Sequence, residues 1–141
     1  MAINNKTDDL KISSMKELSS PVEIINELPM SESATKTILN ARTEIINIIK
    51  GNDNRLMVIV GPCSIHDTNS AKEYAEKLLE LKQKVSKNLL IVMRVYFEKP
   101  RTVVGWKGLI NDPDLDSSFN INKGIRIARK LLLELAEMGM P

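Results

Sequence analysis

The stretch that decides the fold is Leu89-Leu90-Ile91-Val92-Met93-Arg94-Val95-Tyr96-Phe97-Glu98-Lys99-Pro100-Arg101-Thr102. Its first half is a continuous apolar run, the pattern of a parallel strand buried on both faces, and the strand is expected over about Leu89 to Tyr96. Its second half gathers Arg94, Lys99 and Arg101 with the Thr102 hydroxyl. Cations at the carboxyl end of a parallel strand point to a phosphate-handling site, because α/β folds collect their ligands there. Pro100 fixes one backbone angle between Lys99 and Arg101 and narrows the directions of their side chains. A solvated basic turn would carry the same charges.

An earlier segment repeats the arrangement. Leu56-Met57-Val58-Ile59-Val60 reads as another strand buried on both faces, and Gly61-Pro62 breaks it. Cys63, Ser64, His66 and Asp67 follow, then a helical pattern from about Ser70 to Val85. A thiol, a hydroxyl, an imidazole and a carboxylate thus sit past one strand, and the cations past the next. One pocket built from successive βα loops is expected. Read alone, Cys63 is either a small buried hydrophobe or a ligand. His66 is either a hydrogen-bonding group near the site or a structural histidine.

Outward from these strands, Ser20-Pro21 starts a short helix through Leu28. Ser31-Glu32-Ser33 precedes a longer helix to about Lys50, with Ile38, Ala41, Ile45, Ile48 and Ile49 at helical spacing and Gly51 at its C-terminal end. On the helix after the first strand, Ala71, Tyr74, Ala75, Leu78, Leu79 and Leu81 make the inner face. A loop of about residues 97–122 follows the second strand, and Trp106, Leu109, Ile110 and Phe119 argue that it is packed rather than disordered. Within it Trp106 reads as a packing anchor, Lys107 as a solvated charge and Asn111-Asp112-Pro113 as a turn. The last helix, about Lys123 to Met138, carries Ile127, Leu131, Leu132 and Leu135, with its basic residues outside. The order βαβ–loop–α implies parallel strands joined by a right-handed crossover.

These residues carry a resemblance. The run from Ile59 to Asp67, the run from Met93 to Thr102 and Gly105-Trp106-Lys107-Gly108-Leu109-Ile110-Asn111-Asp112-Pro113 closely resemble the microbial class I 3-deoxy-D-arabino-heptulosonate-7-phosphate (DAHP) synthases. The resemblance implies a transferase that joins phosphoenolpyruvate to erythrose 4-phosphate and releases phosphate, opening the shikimate pathway to the aromatic amino acids. It implies an α/β fold: the N-terminal part of a (β/α)8 TIM barrel behind an N-terminal helical extension. The extension is expected at residues 1–52 and the first part of the barrel at residues 53–141. Such a barrel takes about 250 residues, so about two βα units are expected here, and two strands cannot close it. This chain alone is therefore expected to be inactive. The alternative is a truncated remnant, or a non-enzymatic binding or dimerisation module.

The resemblance also assigns residues. Arg94 and Lys99 are expected to hold phosphoenolpyruvate and to serve catalysis; His66 is expected to join them from its place on the turn, not from the resemblance. Pro100, Arg101 and Thr102 are expected to hold erythrose 4-phosphate. Glu98, from its place among these residues alone, is expected to pair with one of the cations rather than to act as a base. Cys63 is expected to ligate a divalent metal such as manganese, iron or zinc, at a site this chain leaves incomplete. Asp8, Asp9, Leu10 and Ile12 resemble a segment that helps form the pocket for an aromatic amino acid effector across a subunit interface. The details lean toward the phenylalanine-sensitive type, and a homo-oligomer is expected.

Composition excludes other classes. Of 141 residues, 20 are Lys or Arg and 18 Asp or Glu, a net charge of +2, and no basic stripe interleaved with aromatics supports a nucleic-acid partner. No apolar run has the length of a membrane span. The polar, acidic N-terminus lacks the core of a signal peptide, and a single cysteine forms no internal disulfide. A cytoplasmic location is expected.

Overall fold

In the computed structural model, which describes residues 8, 10–12, 14–99 and 105–141, the chain runs α1 (Pro21–Glu27), α2 (Glu32–Ile49), β1 (Leu56–Val60), α3 (Thr68–Val85), β2 (Leu89–Met93) and α4 (Ile121–Glu137). β1 and β2 pair in parallel, Leu56 opposite Leu89 through Val60 opposite Met93. The sheet and its helices form the N-terminal part of an α/β barrel. Among the described residues no helix is long and apolar enough to cross a membrane.

The helix starts follow from their caps. The hydroxyls of Ser20 and Ser31 accept from the amides of Glu23 and Ala34, and Pro21 opens α1. The Asp67 carboxylate accepts from Ser70 N at 2.6 Å and starts α3 at Thr68, two residues before the expected start. Gly51 takes φ +75° just past α2, the left-handed conformation that glycine adopts without strain.

The core lies between α3, β2 and α4. Ala71, Ala75 and Leu78 from α3 meet Ile91 and Met93 from β2 and Ala128, Leu131 and Leu135 from α4. Ile65, Phe97, Leu109 and Met140 close it at the loop end. The extension docks on the other side of α4. Asn122 holds the chain before α1, accepting from Ser19 N at 2.8 Å and donating to Glu17 O at 2.9 Å. Arg126 reaches Glu27 and the Ser19 hydroxyl, and Arg129 donates to Leu28 O. The basic residues of α4 were expected outside, and the outer face is where Arg126 and Arg129 bind the extension.

Three further expectations change. β1 is not buried on both faces: Leu56 is 65% and Ile59 59% exposed, because only β2 flanks it and α3 packs on β2. β2 ends at Met93 rather than Tyr96; beyond it, Arg94 N still donates to Val60 O, but the chain then turns into the site loop. Leu81 on α3 is exposed, since its position falls off the stripe set by Ala71, Ala75 and Leu78. On the far edge of β2, Met93 N donates to Pro141 O at 2.8 Å, so the chain after α4 returns alongside β2.

Candidate active site

Three of the expected site residues meet at the strand ends. The Arg94 guanidinium uses one terminal nitrogen twice, donating to Pro62 O at 2.6 Å and Cys63 O at 2.9 Å. Its plane lies over the Tyr96 ring, 4.7 Å from the centroid, where the ring face attracts a cation. A guanidinium carries five N–H donors. The two carbonyls and the ring fix the group while leaving the remaining N–H donors for a ligand. Lys99 Nζ donates to Cys63 Sγ at 3.3 Å. A guanidinium and an ammonium thus flank one turn, an arrangement that suits an anion with separate phosphate and carboxylate groups.

The turn and the cation loop are tied by backbone. Ile65 N donates to Tyr96 O at 2.7 Å. Gly61 lies so close to β2 that a Cβ there would sit 2.2 Å from Arg94 O. Only glycine lets the Pro62–Cys63 carbonyls come within reach of the guanidinium. Further along, Glu98 and Gly108 form an antiparallel bridge, with Lys99 N donating to Lys107 O at 2.9 Å and Leu109 N to Phe97 O at 2.8 Å. Residues 97–99 and 107–109 therefore lie side by side, and these parts of the loop are packed. Trp106 packs against the core, as an anchor should.

Other expected residues stand differently. Cys63 is exposed, which excludes the buried-hydrophobe reading. His66 is exposed and, among the described residues, makes no hydrogen bond. It lines a cleft of about 150 Å³ with Ser64, Asp67, Ser70 and Tyr74, a cleft that Cys63, Arg94 and Lys99 do not line. The Ser64 hydroxyl is buried there without a partner. Glu98 pairs with no described cation; it joins the site through its backbone. Asp8, Leu10 and Ile12 are exposed. Asp9, Pro100, Arg101 and Thr102 lie outside the described residues.

The donor set does not make a metal centre by itself. Among the described residues no group of three or more His, Cys, Asp or Glu is placed to hold an ion. Cys63 brings one sulfur donor, with Lys99 as its hydrogen-bonding neighbour.

Sequence reading missed Gly61 as a fitting requirement, Tyr96 as the guanidinium's support and Asp112 as a buried residue. The Gly61-Pro62 break signalled a turn but not the close approach, and nothing in the sequence marked Tyr96. Ion pairs remote from the site secure the frame. Arg55 binds Asp53 and Glu44, both at 2.7 Å, and holds the Asp53 carboxyl below its usual range through hydrogen bonding.

Comparison with known proteins places the whole chain. The DAHP synthetase I family matches residues 22–140. Over 139 residues the chain is 57% identical to the Phe-sensitive phospho-2-dehydro-3-deoxyheptonate aldolase of Escherichia coli K12, covering 99% of this chain and 40% of that one. Over 137 residues it is 50% identical to the Trp-sensitive enzyme of Salmonella typhi, covering 97% and 39%. The solved phospho-2-dehydro-3-deoxyheptonate aldolase of Francisella tularensis SCHU S4 superposes with a TM-score of 0.88 at 55% identity, over 92% of this chain and 38% of that one. The chain spans about two fifths of the length of these relatives. By its sequence across nearly its whole length, and by its fold, the chain belongs to the DAHP synthetase I family.

Proposed function

We propose that this chain forms part of a DAHP synthase, a transferase that condenses phosphoenolpyruvate with erythrose 4-phosphate and water and releases inorganic phosphate. The observation that carries the reading is the convergence of Arg94 and Lys99 on the Pro62–Cys63 turn. In this reading Arg94 and Lys99 hold phosphoenolpyruvate. Arg101 and Thr102, with the Pro100 backbone, hold the phosphate of the erythrose substrate. The bond forms between the enolpyruvate carbon and the aldehyde carbon, and the dense positive charge offsets the repulsion between two anionic substrates. Cys63 is assigned as one thiolate donor to a divalent ion of the manganese, iron or zinc kind, whose other donors the described residues do not supply. Such an ion, when bound, polarises the aldehyde carbonyl. His66 is assigned a supporting role at the mouth of the adjoining cleft.

The wider reading includes a cytoplasmic homo-oligomer regulated by an aromatic amino acid through Asp8, Asp9, Leu10 and Ile12. Relatives named for phenylalanine and for tryptophan sensitivity both match, so the effector class is proposed and not its member. The exposed Leu56, Ile59 and Val60 on β1 favour catalysis by an assembly in which further strands cover that strand, with this chain inactive alone. A non-enzymatic binding module is the second reading, and it rests on the same exposure.

Calorimetric titration of phosphoenolpyruvate into the purified chain tests the site. Binding that Arg94→Ala and Lys99→Ala each weaken supports it, with Arg101→Ala acting mainly on erythrose 4-phosphate. Absence of binding, or equal effects of all three changes on both substrates, would sink the assignment. Formation of DAHP by the chain alone, with manganese and both substrates, would show that it needs no further strands.

A further inference from the structure

Asp112 is the only charged side chain buried among the described residues, at 4% exposure. The sequence reads it as a turn residue, but it joins four points of the long loop. Its amide donates to Gly108 O at 2.9 Å. Its carbonyl accepts from Trp106 Nε1 at 2.7 Å and Leu115 N at 3.4 Å. Its two carboxylate oxygens accept from Ser117 N at 3.1 and 3.2 Å.

The Ser117 contact matters because the backbone there is strained. Leu115, Ser117 and Phe119 have φ of 60°, 64° and 50°, a region that costs energy for residues with a side chain. The Asp112 carboxylate holds the middle one. Through its backbone amide and carbonyl, held in place by the carboxylate's bond to Ser117, the same residue fixes both ends of the Trp106–Gly108 segment, and that segment carries Lys107 O, the acceptor for Lys99 N. Gly108 is fitted to this pairing: at φ +120°, a Cβ would lie 2.1 Å from Phe97 O. A continuous line of bonds therefore runs from Ser117 through Asp112, Trp106, Gly108 and Lys107 to Lys99, whose ammonium ends 3.3 Å from Cys63 Sγ.

We propose that Asp112 is a positioning residue for Lys99: by locking the Trp106–Gly108 segment it sets where the ammonium stands over the Pro62–Cys63 turn. The functional meaning of that position rests on the reading of Lys99 as a substrate-binding cation. The position itself can be read without substrate. o-Phthalaldehyde condenses with one amine and one thiol held a few ångströms apart, giving a fluorescent isoindole and two molecules of water. The chain has a single cysteine, so Cys63→Ser and Lys99→Arg define the signal from this pair.

The wild-type chain should form the isoindole. Asp112→Ala should form it about tenfold more slowly, the scale set by losing a hydrogen bond to a charged group. Asp112→Asn should recover most of the rate, because its carbonyl oxygen still accepts from Ser117 N. Ala41→Gly, which weakens α2 without touching the loop, should leave the rate unchanged below its melting transition. Trp106→Phe keeps the ring but removes the Nε1–H, and it should slow the reaction even where Asp112→Ala fails to fold. No isoindole in the wild type, wild-type rates in both Asp112→Ala and Trp106→Phe, equal slowing by Ala41→Gly, or no recovery in Asp112→Asn would each overturn the proposal. Phosphoenolpyruvate should protect the wild-type pair. Failure to protect would remove the substrate reading of Lys99 while leaving the positioning by Asp112 standing.

Discussion

Lys99 Nζ stands 3.3 Å from Cys63 Sγ, although the two residues are 36 positions apart and belong to successive strand-end loops. Neither side chain brings this about alone. The β1–β2 pairing aligns the strand ends, Arg94 pins the Cys63 carbonyl, and the Lys99–Lys107 backbone bond aims the lysine. The site is a product of sheet register plus one packed loop.

Register is sensitive at Gly61. A Cβ there meets Arg94 O at 2.2 Å, and that oxygen belongs to backbone that cannot swing aside. Gly61→Ala should destabilise the chain by about 1–3 kcal/mol, the usual cost of overpacking. It should also weaken phosphoenolpyruvate binding. Urea denaturation together with calorimetry checks both, and an unchanged midpoint would show that the strands can part there at little cost.

Gly124 separates helix propensity from packing. It lies inside α4, where alanine would ordinarily gain about 1 kcal/mol. Yet a Cβ at Gly124 would lie 2.1 Å from Ile110 O. Gly124→Ala should therefore lower the melting temperature instead of raising it, and a rise would mean that the Ile110 segment yields easily.

Much of the fold was legible in the sequence, and the reason differs from element to element. The caps at Ser20, Ser31 and Gly51 are local chemistry, so α1 and α2 could be placed from neighbouring residues alone. Cys63, Arg94 and Lys99 could be assigned to one site because parallel strands put their following loops at one end. Burial was less legible. Leu56 and Ile59 are as apolar as Leu90 and Ile91, but exposure depends on what flanks the strand, which apolarity does not encode. Asp112 was missed for a related reason: its partners, Trp106 and Ser117, satisfy it through loop geometry that has no periodic signature.

The same contrast gives a prediction for β1. Ile59 is 59% exposed, whereas Ile91 is 2% exposed in the adjacent strand. Ile59→Thr should change stability by less than about 1 kcal/mol, and Ile91→Thr should cost about 2 kcal/mol or more for burying a hydroxyl in place of an ethyl group. Comparable losses from both changes, measured by denaturant midpoint, would mean that β1 is covered in solution, as by a second copy of the chain.

Acid stability follows from the carboxylates. The Ser70 backbone amide holds the Asp67 carboxyl below its usual range, and hydrogen bonds from Arg126 and Arg55 do the same for Glu27 and Asp53. A carboxylate with a lowered folded pKa adds stability that is fully present above its unfolded pKa. That stability is lost as the pH falls through the folded value, because the unfolded chain binds the proton first. Asp67→Asn keeps an acceptor that can cap α3 but cannot titrate. Its melting temperature should fall less steeply than that of the wild type as the pH drops below the ordinary carboxylate range, while Glu27 and Asp53 keep the remaining slope. Thermal melts across that range decide the matter: parallel curves for the two proteins would mean that the charge on Asp67 does not contribute to the helix start.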